Sequence, residues 1–145
     1  MASIFYNQGK LALVNGSLTW DSASFKAALV TASYAPNKDD VFASAFSGNE
    51  LSGSGYTGGF GGSGRKSIVN AAFSVDTGTD RVYLDCDDLS WVGITAGIAK
   101  AAVLLHENTS DAASTLIAYL ELATPIDTQG FDLRIKIPTG GWAFI

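Results

Sequence analysis

The stretch FDLRIKIP, from Phe131 to Pro138, alternates apolar and charged side chains with a period of two residues. In an extended chain, its leucine and two isoleucines share one face, and Arg134 and Lys136 point to the other. This alternation is typical of a strand with one face in the core and one in water. The stretch therefore predicts a β-strand near the end of the chain.

Similar patterns recur upstream and predict an all-β chain. The further predicted strands are SLTW (17–20, a possible edge strand), FKAALVT (25–31), SIVNAAFSV (67–75), RVYLDC (81–86), GIAKAAVLLHE (97–107), TLIAYLEL (115–122) and WAFI (142–145). The long apolar run at 97–107 favours a central strand that is buried on both faces. With turn residues between the runs, the sequence predicts an antiparallel β-sandwich or jelly roll of about seven or eight strands. No domain boundary interrupts residues 1–145, so we expect a single domain.

The first sixteen residues predict a short helix or arm before the strands. Ser3 can cap the N-terminus of such a helix, and apolar residues follow at helical spacing. Asn15 and Gly16 supply a stop. The interior Gly9 disfavours a helix.

Composition excludes several classes of function. Only 16% of the 145 residues are charged and the net charge is -5, which argues against nucleic-acid binding. The single cysteine, Cys86, excludes an internal disulfide framework and a cysteine-based zinc site. The N-terminus lacks the pattern of a signal peptide, and no apolar run is long enough to span a bilayer. We therefore expect a soluble protein, and its scarcity of charge favours a surface covered in an assembly.

A glycine-rich loop at 47–66 contains the pattern G-x-G-x-x-G, from Gly53 to Gly58. A dinucleotide site requires a strand before this pattern and a helix opening on it, and neither is predicted here. Arg65 breaks the spacing of a P-loop. We interpret the loop as a surface segment that becomes ordered against a neighbour. Its candidate assembly contacts are Tyr56, Phe60, Arg65 and Lys66.

The remaining polar residues do not form a catalytic motif. Five aspartates, at positions 76, 80, 85, 87 and 88, are consistent either with a calcium-binding turn or with a solvated β-turn. His106 lacks a nucleophile-elbow partner, and Cys86 alternates with core residues. The sequence therefore predicts no catalytic residue, cofactor or metal site.

Aromatic residues mark both ends of the chain and three positions along it. Trp20, Trp91 and Trp142 could stack on a sugar, although such residues are more often anchors of a core or an interface. The apolar chain ends must be buried in their own sheet or against a partner. Four residues near the ends join the candidate assembly contacts: Phe5, Tyr6, Trp142 and Phe144.

Several motifs together resemble a group of small structural proteins from tailed-bacteriophage virions, of the capsid cement or decoration type. The motifs are YNQGKLAL (6–13), Gly16, WD (20–21), KAALV (26–30), YAPNKD (34–39), GSGYTGG (53–59), DTGTDRVYLDCDDLSW (76–91) and LIAYLEL (116–122). The glycine run between Gly58 and Gly64 is richer than is usual in this group.

The resemblance implies a non-enzymatic protein, made in the host cytoplasm, that binds the outer surface of the capsid. Its partners would be the major capsid protein and further copies of itself, commonly as a trimer, with no nucleic acid and no membrane. It would stabilise the shell against internal DNA pressure. One alternative is a head-fibre, neck or tail module that recognises host-surface glycans, with Tyr56 and Phe60 as contacts. Another is a small carbohydrate-active enzyme that uses two of the acidic residues.

Overall fold

A computed structural model describes residues 3–21, 24–138 and 141–144. Residues 143 and 144 are described by their backbone alone. One α-helix, α1 (Asn7–Val14), lies near the start of the chain, and two short 3₁₀ helices cover Ala43–Phe46 and Asp111–Ala113. The strands are β1 (Ser3–Phe5), β2 (Phe25–Val30), β3 (Lys66–Ser67), β4 (Ala72–Asp76), β5 (Arg81–Asp85), β6 (Leu89–Ile94), β7 (Ile98–His106), β8 (Thr115–Asp127), β9 (Phe131–Ile135) and β10 (Ala143–Phe144).

The strands form three antiparallel sheets. A five-stranded sheet has the order β1-β8-β7-β2-β3, a three-stranded sheet has the order β10-β5-β4, and β6 pairs with β9. One apolar cluster combines residues from the five-stranded sheet with residues from both smaller sheets. A second cluster includes residues of β2, β7 and β8 together with the first 3₁₀ helix. This confirms the all-β prediction and is consistent with a sandwich, while jelly-roll connectivity stays a prediction.

Most of the predicted strands are confirmed. In β9, Leu133 and Ile135 are buried and Arg134 is exposed, as the alternation requires. Strand β7 is central in its sheet, and its residues from 101 to 105 are all buried. Residue 145 of the predicted last strand and residues 1 and 2 of the predicted arm lie outside the described residues.

Several predictions at the level of individual elements were wrong. SLTW is not a strand; instead the Trp20 indole is buried and donates a hydrogen bond to the Ala72 carbonyl at 2.9 Å. SIVNAAFSV divides between β3 and β4, because Asn70 adopts a positive φ of 55° that interrupts an extended chain. Ser3 belongs to β1 and does not cap the helix, whose N-cap is Tyr6. Strands β1 and β6 were not predicted.

Two of the quoted motifs meet at the start of the helix. The Tyr6 and Tyr34 hydroxyls lie 2.8 Å apart, and Tyr34 donates to Asp40 at 3.1 Å. The Asn7 side chain donates to Asp39 at 2.7 Å, and its backbone amide donates to the Lys38 carbonyl at 2.9 Å. Hydrogen bonds between YNQGKLAL and YAPNKD therefore hold the start of α1 against the turn at residues 34–39.

Gly9 allows α1 to lie directly on strand β8. It is the buried residue of the helix, and a Cβ there would overlap the Leu116 carbonyl oxygen and lie 2.9 Å from the Ile117 Cα. Both obstacles are backbone atoms, which cannot rotate away as a side chain can. The glycine that disfavours a helix in sequence terms is thus required by its packing.

Gly9→Ala therefore tests packing against helix propensity. Propensity alone predicts a gain of about 1 kcal/mol, whereas the overlap with β8 predicts a net loss of about 1–3 kcal/mol in the free energy of unfolding. Urea denaturation measures the difference. Gln8→Ala, at the exposed neighbouring position, should change stability by less than about 0.5 kcal/mol. A Gly9→Ala protein more stable than the wild type would contradict the packing argument.

Candidate functional site

A buried group of charges holds the end of the glycine-rich loop. The Arg65 side chain is fully buried, and its guanidinium nitrogens lie 2.8 Å from Glu50, 2.8 Å from Asp111 and 3.1 Å from Glu107. Lys26 also contacts Glu107, at 2.8 Å. We call these five side chains the Arg65 cluster. It contains three carboxylates and two cations.

The Arg65 cluster joins separate parts of the fold. Glu50 follows the first 3₁₀ helix, Glu107 follows β7, and Asp111 begins the second 3₁₀ helix. The guanidinium also lies 5.5 Å from the centre of the Phe46 ring. Burial alone would lower the pKa of Arg65, but hydrogen bonds to Glu50 and Asp111 outweigh it and leave the pKa above its ordinary value. The arginine is thus a permanent cation that bridges three segments.

Tyr56 connects the loop to the five-stranded sheet. Its side chain is fully buried, and its hydroxyl accepts a hydrogen bond from the Leu29 amide at 2.8 Å and donates to Glu50 at 3.0 Å. Burial, reinforced by the charge of Glu50, raises the pKa of the phenol far above its usual value. Tyr56 is therefore a neutral structural group.

The glycines of this loop are explained by close approach of other atoms. A Cβ at Gly64 would lie 2.5 Å from the Tyr56 ring, and one at Gly58 would lie 2.5 Å from the Leu51 carbonyl oxygen. At Gly53 a Cβ would overlap the Thr95 carbonyl oxygen. Gly59 and Gly61 at the tip, and Gly48 at the base, have positive φ and open space around them. Within the G-x-G-x-x-G pattern, Gly53 and Gly58 are thus explained by packing, whereas Gly55 has a positive φ of 79°.

The structure corrects the expected placement of the loop residues. The expectation of surface positions was wrong for Tyr56 and Arg65, because both are buried inside their own chain. Phe60 is 47% exposed at the loop tip, and Lys66 is half-buried in β3. Of the four candidate contacts in the loop, Phe60 and Lys66 are the ones with exposed surface.

The candidate contacts at the chain ends are also largely internal. Phe5, Tyr6 and Trp142 are buried within the chain, and Tyr6 and Trp142 have no exposed area. The side chain of Phe144 lies outside the described residues, although its backbone pairs with Tyr83. Of the two explanations for apolar ends, burial within the chain's own fold accounts for these three residues.

An open groove of about 1180 Å³ carries most of the predicted acidic cluster. Its lining includes Asp76, Asp85, Asp87 and Asp88, together with Arg134. Among residues 3–21, 24–138 and 141–144, no three His, Cys, Asp or Glu side chains are arranged to hold a metal ion. These carboxylates lie along a groove and do not converge on one point.

Two of these aspartates have local hydrogen-bond donors. Asp76 accepts from the Thr79 hydroxyl and the Gly78 amide, both at 2.9 Å, and these bonds hold its pKa below the usual value. The Ile137 amide and Arg134 both donate to Asp88 at 2.9 Å and lower its pKa in the same way. The geometry at Asp76 favours the β-turn interpretation.

His106, Cys86 and the tryptophans occupy structural positions. His106 packs edge-to-face on Phe25 with ring centres 5.0 Å apart, and burial lowers its pKa. The Trp142 indole donates to the Cys86 sulfur at 3.2 Å. All three tryptophans are buried, so they do not form a sugar-stacking platform.

Cys86 should react slowly in the native protein. Burial raises the pKa of its thiol to about 11, so little of the reactive thiolate is present near pH 8. We expect iodoacetamide at pH 8 to modify the native protein far more slowly than protein unfolded in urea. Mass spectrometry over time measures both rates. Equal rates would show that the thiol is accessible and contradict this placement.

The sequence did not indicate the Arg65 cluster. Glu50, Glu107 and Asp111 lie 15, 42 and 46 positions from Arg65, so no local motif links them.

No protein-family model matches the chain, and no curated protein or solved structure matches it either. Within the described part of the chain, no helix is long and apolar enough to cross a membrane.

Proposed function

We propose that this chain is a non-enzymatic structural protein of a tailed-bacteriophage virion, of the capsid cement or decoration type. It binds the outer surface of the head and stabilises the shell against internal DNA pressure. Its partners are the major capsid protein and further copies of itself, with a trimer as the expected oligomer. The resemblance of its motifs to that group supports the virion role.

The observation that carries the proposal is the large apolar side chains exposed on the surface. They are between 41% and 76% exposed in the isolated chain, and they are Leu11, Val14, Phe42, Phe60, Val69, Phe73, Val75, Val92, Ile98 and Phe131. A contiguous exposed apolar patch is a common mark of protein–protein contact, and Phe73 and Val75 lie side by side on one face of their strand. A chain with so few charges benefits from covering it.

The Arg65 cluster gives this proposal a mechanism. It fixes the end of the glycine-rich loop, so Phe60 is presented from an anchored support, with open space around Gly59 and Gly61 at the tip. Less conformational entropy is then lost on binding than with a loop that orders from a disordered state. This replaces the idea of a loop that is pliable throughout.

A reconstitution experiment tests the proposal. Purified protein is added to heads of the encoding phage that lack it, and attachment and heat resistance are measured. We expect saturable binding and a higher temperature of DNA release. Phe60→Asp should weaken attachment, whereas Ser63→Asp, which adds the same charge to the same loop, should weaken it less. Absence of both attachment and protection would overturn the proposal.

The glycan-binding alternative has less support. Tyr56, one of its two expected contacts, is fully buried, and the three tryptophans are buried as well. Phe60 alone remains exposed of the expected pair.

A further inference from the structure

Strand β4 (Ala72–Asp76) is the outer strand of the sheet β10-β5-β4. It pairs with β5 on one side, from Ala72 opposite Asp85 to Asp76 opposite Arg81. Among the described residues, no strand pairs with its other side, and the Trp20 indole donates a hydrogen bond to the carbonyl of its first residue, Ala72. We call this outer side the β4 edge.

The β4 edge lacks the usual protection of a sheet edge. Natural edge strands are blunted by lysine, proline, bulges or a covering segment. Strand β4 contains no lysine or proline and pairs with β5 without a bulge; a charge appears only at its last residue, Asp76. Phe73 is 52% exposed and Val75 is 70% exposed, although Leu84 opposite Phe73 is fully buried. Phe73 and Val75 thus lie on the same face as a core residue but remain exposed to solvent.

The opposite face of the same strands carries Asp76 across from Arg81 and Asp85 across from Ala72, and it adjoins a groove with more acidic than basic residues. Ser74 lies opposite Tyr83 on that face, and the groove continues over Asp85, Asp87 and Asp88. Its arginine, Arg134, is already paired with Asp88 at 2.9 Å. Carboxylates spread along a groove complement several cations spaced along a chain better than one metal ion.

We infer that the β4 edge binds an extended segment of a partner protein in which apolar and basic residues alternate. An added strand places successive side chains on opposite faces of the sheet. One set packs on Phe73 and Val75, of which Val75 also lines the groove, and the other set reaches the carboxylates of the groove. The charge of the groove selects basic residues for the second set. The inference deepens the proposed assembly role by naming the chemistry of one partner segment.

Synthetic peptides test this inference with the full chain. The probe is a capped octapeptide of alternating valine and lysine. One control replaces lysine by glutamate, and another keeps the composition but groups the valines and lysines in two blocks. We expect titration calorimetry to detect binding of the alternating valine–lysine peptide alone, with weaker binding at higher salt.

Matched variants place the binding on the β4 edge. Val75→Lys should weaken binding of the valine–lysine peptide by about tenfold or more, because it removes an apolar contact for the peptide's valines and places a charge on the strand edge. Val92→Lys makes the same change at a 76% exposed residue of β6 and should leave binding unchanged. Circular dichroism checks that both variants are folded. If Val75→Lys does not fold, Asp85→Asn should weaken the same binding, and unchanged binding would overturn the inference.

Four outcomes overturn the inference. These are no binding of the valine–lysine peptide, equal binding of the glutamate or block peptide, equal weakening by both lysine variants, or a homodimer that Val75→Lys dissociates. The last would make a second copy the occupant of the edge. Because no phage heads are used, peptide binding without attachment to heads would refute the proposed function alone, and attachment without peptide binding would refute this inference alone.

Discussion

Arg65→Met lowers the free energy of unfolding by about 3–5 kcal/mol, the cost of removing one partner from a buried ion pair. Methionine keeps much of the side-chain length but leaves Glu50 and Asp111 without the cation that each contacts at 2.8 Å. Glu107 keeps only Lys26. Three carboxylates whose side chains are only 7%, 11% and 23% exposed (Glu50, Glu107 and Asp111) then share a single cation. Urea denaturation measures the loss.

Two further variants separate charge from packing. Glu50→Gln added to Arg65→Met removes one of the orphaned charges and should restore part of the lost stability. Arg134→Met removes an arginine that is 74% exposed and paired with Asp88, and it should behave almost as the wild type. If Arg65→Met and Arg134→Met had the same effect, burial of the Arg65 cluster would be refuted.

The strands could be predicted because a period of two residues is a local signal. FDLRIKIP and FKAALVT carry that signal within single stretches, and the structure confirms them. Strand β6, LSWVGI, was missed because Gly93 adopts a positive φ of 59° and the register shifts between Trp91 and Ile94. A bulge breaks the alternation on which the prediction depends.

The Arg65 cluster could not be predicted, for a different physical reason. Its members come from four separate segments, and an ion pair depends on distances in space that one sequence does not encode locally. The interpretation of the glycine-rich loop as a segment that becomes ordered only against a neighbour was wrong for a related reason, because its order depends on atoms from distant parts of the chain. Abundant glycine favours flexibility in a free chain. In this fold, however, three glycines leave space for neighbouring atoms that a Cβ would overlap: Gly53 for Thr95, Gly58 for Leu51 and Gly64 for Tyr56. Composition cannot distinguish these two uses of glycine.

Trp91→Ala is expected to lower the free energy of unfolding by about 3–5 kcal/mol, as for other large aromatic residues removed from a core. Trp91 is only 1% exposed and belongs to the apolar cluster shared by the three sheets. Its indole nitrogen donates to the Gly64 carbonyl at 2.6 Å, and its ring lies 6.5 Å from Tyr56. The substitution removes core volume and also the contact that joins β6 to the glycine-rich loop.

Trp91→Phe distinguishes these two losses. Phenylalanine retains most of the apolar contact but cannot donate to Gly64, so about 1–3 kcal/mol should be lost with one buried carbonyl left unsatisfied. Val92→Ala, at the adjacent exposed residue, should cost less than about 0.5 kcal/mol. Limited proteolysis then reports on the loop: both Trp91 variants should be cleaved faster between Gly58 and Gly64, because the bond that closes this segment onto β6 is gone. Cleavage at the wild-type rate in Trp91→Phe would show that the Arg65 cluster and Tyr56 anchor the loop without this bond.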